Sequence, residues 1–73
     1  MNEDPVEQYV KPIENSRDLR LRRKAVHSNG YKREKARLRK LGWSEKLLNP
    51  EAQKMGRHCA DAWEKRMREC GFI

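Results

Sequence analysis

The chain has 73 residues, of which 40% are charged and only 36% hydrophobic, so it has room for one small domain with a thin core. Its net charge of +7 calls for an anionic partner, either nucleic acid or an acidic protein surface. No apolar run is long enough to cross a bilayer, and the opening MNEDPVEQ has no apolar stretch of the kind a secretory signal needs.

The charge falls into three zones. Residues 1–15 carry Glu3, Asp4, Glu7 and Glu14 against Lys11. Residues 17–40 hold eleven Lys and Arg against Asp18 and Glu34, a local net charge of +9. Residues 41–73 are nearly neutral, with six bases and five acids. Two units are expected: an extended or flexible acidic tail over 1–15 and a small basic helical domain over 16–73.

In the tail, Pro5 and Pro12 oppose a helix. Val6, Tyr9, Val10 and Ile13 are apolar residues among the acids, a pattern suited to an extended segment that docks on a partner. Asn15 or Ser16 can then cap a helix, with Asp18 in its first turn. Residues 19–26 fit both periods. Leu19 with Val26, and Leu21 with Ala25, share helical faces, while Leu19, Leu21 and Ala25 also alternate as in a strand. Asn29-Gly30 can be a hairpin turn or a helix end. The arm from Tyr31 has no alternation and places Tyr31, Leu38 and Leu41 at helical spacing, which favours helix, turn, helix.

Gly42 stops that second helix, with Trp43 following at the position that folds back. Residues 44–48 read as a short turn of helix. Asn49 is a good N-cap and Pro50 suits the first helical position. From there Ala52, Met55, Cys59, Ala62, Trp63, Met67 and Cys70 mark one apolar face, and Gly71 with Phe72 ends the helix as Gly42 with Trp43 ended the one before. The expected fold is all-α: a small helical domain of three main helices near 16–28, 31–41 and 50–70, one short turn at 44–48, and a flexible acidic tail. The expected core is Leu19, Val26, Tyr31, Leu38, Leu41, Trp43, Leu47, Leu48, Met55, Cys59, Trp63 and Met67.

The basic zone is the strongest functional signal. Arg17, Arg20, Arg22, Arg23, Lys24, Lys32, Arg33, Lys35, Arg37, Arg39 and Lys40 are dense enough to neutralise phosphates, with affinity that falls as salt rises. Seven are Arg, which suits bidentate contact with phosphate or carboxylate. Such helices also occur as RNA-binding segments that fold on their target. The last helix is expected to be scaffold, its outer face neutralised by Asp61 with Lys65 and Glu64 with Arg68. His27, His58, Cys59 and Cys70 lack metal-ligand spacing, so no metal or cofactor is expected. The thiols read as reduced and the setting as cytosolic. No nucleophile, base and cradle combination is present, and no enzymatic activity is expected.

A short, very basic helical chain with a separate acidic and apolar segment, running from Val6-Glu7-Gln8-Tyr9-Val10 through the Arg-rich zone to Cys70-Gly71-Phe72-Ile73, resembles the small phage-encoded transcription regulators that bind bacterial RNA polymerase, of the kind a lytic Xanthomonas phage encodes. The resemblance implies a monomer acting in the host bacterial cytoplasm, which blocks initiation and permits readthrough of terminators. Val6, Tyr9, Val10 and Ile13 would then dock on the polymerase, with the basic zone near acidic polymerase surface or emerging RNA. The alternative is an arginine-rich module acting directly on RNA or DNA. A ribosome-associated protein is a third, weaker option.

Overall fold

Helix α1 starts after Asn15, one of the two caps that the sequence offers. The Asn15 side chain accepts from the Asp18 backbone N–H at 2.9 Å, and the Asp18 carboxylate accepts from Glu14 N–H at 3.2 Å, so two orphan donors are satisfied reciprocally. In the computed structural model, which describes residues 6–73, α1 runs Ser16–Lys40 and α2 runs Glu45–Glu69. The described elements are these two long antiparallel helices and one 3-10 turn, Glu7–Tyr9. Each helix has 25 residues, about 37 Å at 1.5 Å per residue, and the molecule measures 40 × 25 × 15 Å.

Three main helices were expected; two are found, because neither predicted break occurs. Gly30 is an ordinary helical residue inside α1, buried where the two helices cross. A Cβ on Gly30 would lie 2.8 Å from Cys59 Sγ and 3.4 Å from Gly56 Cα, and one on Gly56 would lie 2.8 Å from the His27 carbonyl oxygen. The glycines therefore permit a close approach of the backbones instead of ending a helix. Asn49 does not cap α2; Ser44 occupies that place, and the Asn49 side chain accepts from the Tyr31 hydroxyl at 3.0 Å. Pro50 lies inside α2 and costs about 3 kcal/mol there. Full burial of Leu48 just before it contributes about 1.5–3 kcal/mol and the Tyr31–Asn49 bond about 1 kcal/mol, enough to carry the helix across the proline.

Both helices end as their glycines require. Gly42 has φ +90° and Gly71 has φ +74°. Trp43 N–H donates to Leu38 O at 3.1 Å and Phe72 N–H to Met67 O at 2.9 Å, each beside a Gly-to-Arg backbone bond, which completes a Schellman ending.

The core differs from expectation as well. Val26, Leu38, Leu48, Cys59, Trp63 and Met67 are buried, joined by Ala52 and Ala60. Leu41, Trp43 and Leu47, expected inside, are exposed, and Leu19, Tyr31 and Met55 are half-buried. Leu41, Trp43 and Leu47 lie at the closed end of the hairpin, where no third helix covers them among the described residues, whereas Leu19 and Met55 pack at the margin of the core cluster. Along α1 the buried line is Val26, Gly30, Glu34 and Leu38, one residue per helical turn. Glu34 is held there by Arg37, whose Nε donates to Glu34 Oε1.

The segment expected to be a flexible tail packs on the helices from Val6 onward. Val6, Tyr9, Val10 and Ile13 lie against the cluster of Val26, Cys59, Trp63 and Met67. Trp63 Nε1 donates to Tyr9 O at 2.8 Å and Asn29 Nδ2 to the Tyr9 hydroxyl at 3.2 Å. Arg66 pairs with Glu7 at 3.1 Å, and Arg22 donates to Lys11 O at 2.8 Å. The expectations for Glu3, Asp4 and Pro5 lie outside the described residues.

Candidate anion-binding face

The eleven basic residues of α1 do not form one collar. Five of them are paired with carboxylates of this chain. Arg22 meets Asp18 at 3.0 Å, Arg23 meets Asp61 at 2.9 Å and Glu64 at 3.4 Å, and Lys35 meets Glu45 at 3.8 Å. Arg37 is bonded to Glu34 and Arg39 to Glu45. Lys35 also stands over the Tyr31 ring, 5.5 Å from its centroid. Hydrogen bonding to Glu34 raises the pKa of Arg37, and Glu45 does the same for Arg39. The Arg39 hydrogen bond in turn holds the Glu45 carboxyl below its ordinary value.

Arg17, Arg20, Lys24, Lys32 and Lys40 are exposed and have no carboxylate within 4.0 Å among the described residues. Arg33 is exposed too. Helical spacing sorts the unpaired cations. Arg17, Arg20 and Lys24 step by three and four, and His27, Tyr31 and Lys35 continue the same flank of α1. Lys32 lies at the edge of this flank, while Lys40 projects from another side.

This flank borders the line where α1 meets α2, on the side away from residues 6–13. Two shallow grooves lie there end to end. One, of about 280 Å³, is lined by Arg20, Arg23, Lys24, His27 and Ala60. Its neighbour, of about 380 Å³, is lined by Lys24, His27, Ser28, Tyr31 and Gln53. Lys24 and His27 belong to both. From α2, Arg57 follows Gln53 by four residues and precedes Ala60 by three, so it shares their flank; it is exposed and has no carboxylate partner among the described residues. Sequence reasoning assigned α2 to scaffold and missed Gln53 and Arg57. The four-then-three step of Gln53, Arg57 and Ala60 was the available signal.

The neutralisation expected within α2 is also redistributed. Glu64 does meet Arg68, at 3.7 Å, but Asp61 turns to Arg23 of the other helix instead of to Lys65. Chemically, Arg20 and Lys24 line an open groove with a guanidinium fork and an ammonium, and Arg57 stands exposed on the α2 flank that follows it. Such a groove can follow a run of phosphates or carboxylates but does not enclose a small molecule.

The predicted docking residues Val6, Tyr9, Val10 and Ile13 are spent on the chain's own core, as described above. Among the described residues no three His, Cys, Asp or Glu side chains group to hold a metal, Cys59 is buried, and Cys70 is exposed. No helix of the described residues is long and apolar enough to cross a membrane. Compared with known proteins, the chain matches no family model, no curated relative and no solved structure.

Proposed function

We propose that this protein is a non-enzymatic, phage-encoded transcription regulator that binds host RNA polymerase, inhibiting initiation and promoting readthrough of terminators. Its resemblance to such regulators supplies the class. The observation that carries the reading is the open groove lined by Arg20 and Lys24, which have no carboxylate partner among the described residues, with Arg57 exposed on the neighbouring flank of α2. A chain this small that leaves three cations together invites an extended anionic surface, on the polymerase or on the RNA leaving it. Because Val6, Tyr9, Val10 and Ile13 are occupied internally, the basic flank replaces them as the gripping surface in this reading.

A second reading, direct binding of nucleic acid, is favoured by Tyr31, a half-buried aromatic that borders the same groove and offers a stacking partner between cations. One experiment separates the two. The full chain is mixed with purified Xanthomonas RNA polymerase, with and without nuclease, and the triple variant R20E, K24E, R57E is run beside it. Capture that survives nuclease and weakens at least about tenfold in the variant supports the regulator. Capture lost with nuclease, together with binding to bare RNA whose log affinity falls with log salt at a slope near −2, as about 0.7 per neutralised phosphate requires for three cations, supports the second reading.

A further inference from the structure

Five large apolar side chains are exposed among the described residues, and three of them share one place. Leu41 is 63% exposed, Trp43 41% and Leu47 64%, all within the closed end of the hairpin. A single exposed Leu is ordinary, but a Trp and two Leu within seven consecutive residues form a patch, in a chain that has few apolar residues to spare.

The patch is held in shape. Gly42 N–H donates to Arg39 O at 3.0 Å and Trp43 N–H to Leu38 O at 3.1 Å, which fixes the turn. Glu45, the first residue of α2, reaches back across the turn to Arg39 and to Lys35 at 3.8 Å. A surface already ordered loses little freedom when it binds. Its rim is positive: residues 34–47 hold five Lys and Arg against Glu34 and Glu45, a net charge of +3, and Lys40 and Lys46 have no carboxylate partner among the described residues.

The geometry points to the hairpin tip as a plug, with Trp43 flanked by Leu41 and Leu47 entering an apolar pocket rimmed by carboxylates on a partner protein. Trp is among the side chains that most often dominate binding energy at protein interfaces. A second copy of this chain would bring two tips of charge +3 together, which charge opposes. A lipid surface favours a long amphipathic helix lying flat, whereas this patch is a turn at a helix end. The plug rests on the polymerase reading above and adds to it a second, apolar point of attachment distinct from the Arg20 and Lys24 groove.

The test titrates the full chain against nuclease-treated Xanthomonas RNA polymerase at about 0.15 M salt. The variants are W43A, the pair L41S with L47S, and K46E; L21S, exposed elsewhere on α1, is the control, and circular dichroism confirms each fold. The plug predicts losses of about tenfold or more for W43A and for the paired variant, a smaller loss for K46E, and a change within about twofold for L21S. Folded tip variants that bind the polymerase like the native chain overturn the plug and leave the polymerase reading standing. A native chain that does not bind the polymerase at all overturns both. Tip variants that lose adhesion to phosphatidylglycerol vesicles, or lose self-association in sedimentation, while keeping polymerase binding also overturn it.

Discussion

The two helix ends carry nearly the same local sequence and meet opposite fates. Arg37-Leu38-Arg39-Lys40-Leu41-Gly42-Trp43 and Arg66-Met67-Arg68-Glu69-Cys70-Gly71-Phe72 both close with a positive-φ glycine and an aromatic N–H bonded back to the apolar residue five positions before it. Yet Phe72 packs against the buried cluster at the open end, while Trp43 is left facing solvent at the closed end. The difference is long-range. Residues 6–13 fold over the open end, and among the described residues the closed end has no such cover. Local sequence sets the turn; a distant segment decides whether the side chain it delivers is core or surface.

The most damaging way to break this contrast is Trp63→Ala. Trp63 is fully buried at the open end and its Nε1 carries the bond to Tyr9 O. Truncation should cost about 3–5 kcal/mol, read as a shift of the denaturant midpoint. Amide exchange should rise over residues 6–13, whose anchor is gone. A segment that stays protected in the variant would mean that residues 6–13 hold to the helices by other contacts, and that the indole is not what separates the two ends.

The same division governs how much could be read from the chain. The all-helical class, a cap at Asn15 or Ser16 and both glycine endings depend on neighbours within about four residues, and they were legible. The breaks at Asn29-Gly30 and Asn49-Pro50 were not, because both signals are local and tertiary packing overrides them. The inner line of α1 reads Val26, Gly30, Glu34, Leu38, so half of its buried positions are not apolar and no period appears. On the basic face, pairs such as Arg23 with Asp61 join residues far apart in sequence, and nothing nearby marks which cations they remove. The groove lined by Arg20, Lys24 and Ala60 exists only once α2 lies against α1.

Gly56→Ala sharpens the comparison from the middle, where the helices cross. The new methyl would meet the His27 carbonyl oxygen at 2.8 Å, a backbone atom that cannot swing away. Overpacking should cost about 1–3 kcal/mol, set against about 1 kcal/mol of improved helix propensity. Gly30→Ala should cost less, since its tightest neighbour is the Cys59 thiol. The crossing lies between the two ends, so spreading it should loosen both. If thermal melting of Gly56→Ala is accompanied by faster exchange at the open end only, the closed end is held by its own turn and the Glu45 clamp.

The smallest expected effect isolates the contrast itself. Phe72→Ala removes a half-buried ring from the cluster and should cost about 1 kcal/mol, roughly half the value of full burial. Trp43→Ala removes a ring that is 41% exposed and is not packed on the buried cluster, and should cost less than Phe72→Ala because its loss opens no cavity in the core. Paired thermal melts of the two variants read the difference directly. If Trp43→Ala were as costly as Phe72→Ala, the indole would be packed in solution after all, and the closed end would have no anchor to offer a partner. If the order is as expected, the aromatic that contributes less to the fold keeps an open face for something outside it, and the polymerase titration of W43A measures what that is.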